Sequence, residues 1–130
     1  MKMNRISRRV SSTSFKDHVF DSHCHIIDPR FPLIANQGYL PPSFTCEEYV
    51  IQISPLSIKG GVIVSGSFQG YDQTYLIDSL KQLKTWVGVA QIPNNVSDDE
   101  IISLKTAGVR ALSDRYDNNQ GACKKIEQIA

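Results

Sequence analysis

The chain has 130 residues, 14 basic against 13 acidic, and a formal net charge of +1. A chain of this length can bury one core as a single domain, and so balanced a charge gives no footing for nucleic acid as a partner. The length is about half of the ~250 residues that a closed eight-stranded β/α barrel takes, and no stretch approaches the ~20 apolar residues of a membrane span.

Five basic residues, Lys2, Arg5, Arg8, Arg9 and Lys16, fall in the first 16 positions. Residues 1–17 are expected to be a disordered, solvated basic tail. An organelle presequence or a nucleic-acid arm is the sharper alternative, because the stretch is rich in Arg and Ser and has no acid before Asp17. It has no apolar run of the secretory kind, so the default location is cytoplasmic. Cys24, Cys46 and Cys123 form no Cys-x-x-Cys pair and are expected to be three free thiols.

Residues 18–130 form the expected domain. Val19 to Ile27 reads as a strand, apolar and β-branched with polar residues at alternate positions. A loop follows, Asp28-Pro-Arg-Phe-Pro-Leu and then Gly38-Tyr-Leu-Pro-Pro42; five of the six prolines fall between 29 and 55, which argues for ordered irregular chain and against helix. Thr45-Cys-Glu-Glu48 has the form of a capping box, and the helix it starts should break or kink at Pro55. Lys59-Gly-Gly61 closes that helix, and Val62 to Ser65 is a short apolar strand of the buried parallel kind.

Gly66 to Gly70 is a tight connection. It offers backbone N–H groups to an anion, although βα turns are glycine-rich in any case. Tyr71 to Thr85 has apolar residues at helical spacing, Tyr75, Leu76, Leu80 and Leu83. Trp86 to Ala90 is a third strand. Ser97-Asp-Asp-Glu100 is a second capping box, with acids in the first turn to suit the helix dipole, and Ala107-Gly108 ends its helix. Val109 to Leu112 is a fourth strand, a polar stretch runs from Ser113 to Gly121, and Lys124 to Ala130 has the look of a further helix start. Strands alternating with helices predict a parallel sheet with right-handed crossovers. The fold class is α/β, the first four β/α units of a TIM-type (β/α)8 barrel, truncated. Its open sheet edges would make the chain a candidate homo-oligomer.

Chemistry concentrates in Phe20-Asp-Ser-His-Cys-His-Ile26. Two residues apart on a strand, His23 and His25 share a face, and neutral imidazoles at the C-terminal end of a parallel strand suit Zn²⁺. A solvated pair of histidines at a strand end is the plainer reading. Asp21 has the same parity and is expected to orient one imidazole as an acceptor behind it. Cys24 should point to the opposite face, into the packing behind the site. His18 has the wrong parity and lies too far back to join the pair.

Asp21-Ser-His-Cys-His25, Asp28-Pro-Arg-Phe-Pro32 and Gly38-Tyr-Leu-Pro-Pro42 resemble the opening of amidohydrolase-related proteins. These are barrel hydrolases and decarboxylases of the amidohydrolase superfamily, including the 2-pyrone-4,6-dicarboxylate lactonase branch. The resemblance continues through Gly60-Gly-Val-Ile-Val-Ser-Gly-Ser67, Tyr71-Asp72, Trp86-Val-Gly-Val-Ala90 and Gly108-Val-Arg-Ala-Leu112, covering residues 19–112. It implies that His23 and His25 bind a divalent metal, usually zinc, and that a lactone, ester or amide bond of a small carboxylated molecule is hydrolysed with its help. It also implies that further histidines and a proton-handling aspartate come from strands of a second half of the barrel.

Two histidines fall short of the three protein ligands of catalytic zinc, so the chain as given is expected to be incomplete and inactive as an enzyme. The alternative is a small α/β binding module, or a half-barrel that pairs with its copy without catalysis. Arg110 is a candidate clamp for a substrate carboxylate, or else an arginine reaching to the rim. Tyr39 is a candidate roof for the substrate pocket, or packing for its own loop. After Leu112 the polar run replaces the family's site-lining strand end, either through a disrupted reading frame or as an ordinary loop difference.

Overall fold

The computed structural model describes residues 19–113. The basic tail, His18, Cys123 and the terminal helix start lie outside the described residues, as does most of the polar stretch.

Among the described residues four strands alternate with three helices: β1 (Phe20–Cys24), α1 (Cys46–Ile53), β2 (Gly60–Val64), α2 (Thr74–Gln82), β3 (Trp86–Ala90), α3 (Asp98–Ala107) and β4 (Val109–Leu112). Short 3₁₀ turns follow α1 at Ser54–Leu56 and β2 at Ser67–Gln69. The sheet order is β1-β2-β3-β4, and every neighbouring pair is parallel. This is the arrangement of successive units of a β/α barrel, with each helix carrying the chain back to start the next parallel strand. No helix among the described residues is long and apolar enough to cross a membrane.

Local chemistry accounts for most element boundaries. Thr45 caps α1, its hydroxyl accepting the N–H of Glu48 at 3.3 Å. Ser97 caps α3 by accepting from Glu100 N–H at 3.2 Å. Gly108 ends α3 at φ +118°, and its N–H returns to the carbonyls of Leu104 and Lys105, a backbone shape that glycine adopts without strain. As Pro55 predicts, α1 stops and tightens into the 3₁₀ turn. Helix α2 starts at Thr74, three residues later than its apolar spacing implies. There the Asp72 carboxylate accepts the Thr74 N–H at 3.1 Å and its hydroxyl as well, stabilising a turn in competition with helix.

The strand expected to reach Ile27 ends at Cys24. Beyond it Ile27 forms an antiparallel bridge with Phe44, N–H to O=C both ways at 2.8 Å, so the proline-rich loop leaves and rejoins the sheet through one pinched base. The core lies between the sheet and its helices. Ile63, Leu76, Ala90 and Ile101 are wholly buried there. Gly88 faces the same side, where an added Cβ would stand 3.1 Å from Leu80 and 3.2 Å from Leu76.

Candidate functional site

The opposite face of the sheet, at its C-terminal end, carries the histidines. His23 and His25 are both exposed, and their Nε2 atoms approach to 3.2 Å with the rings edge-on at 82°. His25 Nδ1 lies 2.8 Å from the carbonyl oxygen of Val64 at the end of β2. A carbonyl only accepts, so this contact places the ring proton on Nδ1 and leaves the Nε2 lone pair facing His23.

The separation fits a chelating pair. Two ligand atoms each roughly 2.0–2.1 Å from one tetrahedral ion stand about 3.3 Å apart. An Nδ1–H donated to a backbone carbonyl is also the usual support of a ligating imidazole. Without a cation, the same distance suits a hydrogen bond from one ring to the other. Among the described residues, no group of three His, Cys, Asp or Glu side chains converges to hold a metal ion, so the donor set at hand is the two imidazoles.

Asp21 does not stand behind either ring. Asp21 pairs with Gly61 and Cys24 with Ile63, so three steps along β1 match two along β2. That extra residue is a β-bulge, and a bulge reverses the alternation of faces across it. Asp21 thus falls on the helix side with Cys24. Its Oδ2 accepts the Tyr49 hydroxyl at 2.6 Å and its Oδ1 accepts the backbone N–H of His23 at 3.2 Å. The orienting acceptor expected of Asp21 is, for His25, the Val64 carbonyl. Cys24 is buried as its parity implies, with its thiol donating to Val62 O at 3.4 Å and pushed up to about 11, chiefly by burial.

The two candidate substrate contacts part company. Arg110 sits at the start of β4, at the other end of the sheet from the histidines. Its Nη1 donates to the carbonyls of Lys105 and Val109, both at 2.9 Å, so the guanidinium covers the C-terminal end of α3, where a cation is favoured. Tyr39 is 60% exposed and meets the ring of Phe68 edge-on at 6.2 Å. Phe68, with His25, Ile27, Pro41 and Gln69, lines a mainly apolar cleft of about 230 Å³. Tyr39 therefore stands beside a cleft that His25 borders.

The turn after β2 fixes that cleft. Gln69, 3% exposed, accepts the Gly66 N–H at 2.9 Å and donates to Ile26 O at 3.0 Å. The N–H of Gly66 is therefore committed within the protein, as the turn reading of this glycine-rich segment expects. Gln69 was not singled out by sequence reasoning, since a glutamine inside a loop gives no sign of being buried. Tyr49 lies in the helix that the capping box at Thr45 starts, and the sequence gives it no further role. Its ring is buried, but its hydroxyl also receives the Trp86 indole N–H at 3.2 Å, a contact that needs the third strand to be in place.

No protein-family model matches the chain. It is similar to a 4-sulfomuconolactone hydrolase of Rhizobium radiobacter, 27% identical over 106 residues, which are 79% of this chain and 36% of the relative. A 2-pyrone-4,6-dicarboxylate hydrolase of Comamonas testosteroni is 28% identical over 95 residues, 71% of this chain and 31% of the relative. The chain thus spans about a third of the length of the curated relatives it matches. Among solved structures, a probable 2-pyrone-4,6-dicarboxylic acid hydrolase from Acinetobacter baumannii, with citric acid bound, superposes with a TM-score of 0.72 at 18% identity, over 85% of this chain and 46% of that one. An apo structure from Agrobacterium tumefaciens gives 0.63 at 19% identity, over 72% and 35%. At those identities the structural likeness speaks for the fold; the sequence likeness adds a resemblance to hydrolases of small carboxylated lactones.

Proposed function

We propose that residues 19–113 form the metal- and ligand-binding half of a hydrolase-type site for a small carboxylated lactone or ester, and that this part binds without turnover by itself. The observation that carries this reading is the 3.2 Å approach of the His23 and His25 Nε2 atoms, with Val64 O fixing the proton of one ring. The hydrolases it resembles act on lactones, and the cleft beside His25 offers an apolar wall to a ring or its unsaturated carbons. His23 and His25 would hold a divalent ion, zinc first among candidates. When bound there, such an ion supplies Lewis-acid activation of a carbonyl or of water. The protein's own contribution is to set the two Nε2 atoms at a separation that one ion can bridge and to place the apolar Ile27–Phe68 cleft beside His25.

Cobalt titration of the full chain, followed by its visible absorption, tests this reading. Saturable binding is expected in the wild type, with a loss in His23→Ala and His25→Ala of at least the roughly tenfold that removing even an outer-shell partner of a ligand costs. No hydrolysis of 2-pyrone-4,6-dicarboxylate is expected with metal present. Equal cobalt binding in the double alanine variant would sink the metal assignment, and turnover by the wild-type chain would sink the claim that this half does not act alone.

A second reading is favoured by the sheet itself. Among the described residues β1 pairs only with β2, and β4 only with β3. Two copies could close an eight-stranded barrel through β4-to-β1 pairing, bringing four histidines to one end. Cobalt bound at one ion per two chains supports pairing; one ion per chain removes it.

A further inference from the structure

Behind the histidine pair runs a hydrogen-bonded series that the proposed function leaves without a role. Trp86 Nε1–H donates to the Tyr49 hydroxyl at 3.2 Å, Tyr49 donates to Asp21 Oδ2 at 2.6 Å, and Asp21 Oδ1 accepts the His23 backbone N–H at 3.2 Å. Tyr49 is 3% exposed and Trp86 9%, so the two donors are fixed by packing. The Tyr49 hydroxyl, which burial pushes further above its ordinary range, is protonated at neutral pH like any phenol and remains a donor. Gly61 is what lets the indole through. A Cβ there would stand 2.4 Å from Trp86 Nε1.

The series ends at the bulge between Asp21 and Cys24. A bulge decides which side chain turns to which face, and the extra residue has no ladder partner to hold it. His23 is inside that irregular stretch, and its imidazole must meet His25 from the correct side. His23 has no register partner on β2, and the Asp21 carboxylate accepts its N–H. We propose that Asp21, held in place by Tyr49, is a positioning residue that pins the bulge through the His23 N–H and so sets His23 Nε2 against His25 Nε2. The series makes the facing of two surface rings depend on a buried anchor reaching back to α1 and β3. For its metal consequence alone, the inference rests on the function proposed above.

The test compares the full chain with Asp21→Ala, Asp21→Asn and Tyr49→Phe, and with Leu80→Ala as a core variant remote from the bulge. Three quantities are read: the nuclear Overhauser contact between the two imidazoles, amide hydrogen exchange at His23, and cobalt affinity. In Asp21→Ala the ring contact is expected to vanish, and His23 exchange to quicken by about tenfold or more as the local bond is lost. Cobalt should bind roughly 10- to 100-fold more weakly, the usual effect of losing an orienting partner. Tyr49→Phe should move all three in the same direction. Asp21→Asn, which keeps an oxygen for the His23 N–H, should restore most of the protection. Leu80→Ala should melt at lower temperature with the ring contact and His23 exchange unchanged.

Wild-type ring contact and exchange in Asp21→Ala would overturn the proposal, as would equal changes in Leu80→Ala. A wild-type chain that takes up no cobalt, while Asp21→Ala still loses the ring contact, keeps the positioning role and removes the metal reading instead.

Discussion

Asp28 is 3% exposed, yet it carries a carboxylate at the mouth of the proline-rich loop. It is tolerable there because Arg30 grips both oxygens, Nε to Oδ1 at 3.1 Å and Nη2 to Oδ2 at 2.7 Å, and extends Nη2 to Asp78 of α2 at 2.8 Å. The Arg30 hydrogen bonds hold the Asp28 carboxyl below its usual range. A depressed carboxyl contributes stability that is complete above its unfolded value, about 3.9, and that is lost as pH falls through the lower folded value. Arg30→Met is therefore expected to lower the urea midpoint at pH 7, and the gap from wild type should shrink as pH falls below about 4. A gap that stays constant down to pH 2 would show that Asp28 is not the linked group. Residue-level features of this kind were unevenly legible. Cys24 was placed correctly by strand alternation, and Asp21 was misplaced by the same rule. The bulge that separates them leaves no mark in Phe20-Asp-Ser-His-Cys24.

Helices α1 and α3 owe their starts to single hydroxyls, Thr45 and Ser97. Replacing either with alanine should cost about 1 kcal/mol in thermal or urea unfolding. Gly108→Ala should cost more, about 1–3 kcal/mol, because alanine at φ +118° is strained. If Ser97→Ala proves neutral, the end of α3 is held by packing of Ile101 and Leu104 rather than by its cap. These boundaries were readable because capping chemistry is local. The bounds of β3 and β4 matched for a related reason, β3 being an apolar run that follows a turn and β4 starting just after the glycine that ends α3. The end of β1 and the start of α2 were not readable, because a bridge to Phe44 and a carboxylate turn at Asp72 decided them.

At the scale of the whole molecule, the parallel order followed from the alternation of strands and helices, and it is the part of the fold that the sequence specified best. The candidate site was only half visible. Two residues apart on a strand, the histidines announce themselves, whereas the Val64 carbonyl and Gln69 enter from another β/α unit. The sheet also sets an expectation for behaviour in solution. With β1 and β4 each holding one neighbour among the described residues, each presents an edge of the kind that templates another strand. Sedimentation of the 130-residue chain is expected to show concentration-dependent association. Ala111→Lys, a charge placed on β4, should weaken it. A monomer at all concentrations would mean that these edges are already covered.

The pinch between Ile27 and Phe44 has a consequence for how such a scaffold changes over time. Because both backbone groups of each residue close on the other, the chain between them is a cassette with its own clasp. Lengthening it around Tyr39 costs little in closure entropy, while the Ile27–Phe44 bridge and the Asp28–Arg30–Asp78 ion pairs hold its base. The segment bearing Tyr39 can thus be exchanged for another of different reach, while the histidine pair below keeps its geometry. Diversity in what is bound and constancy in what binds it would then be set by separate stretches of the same short chain.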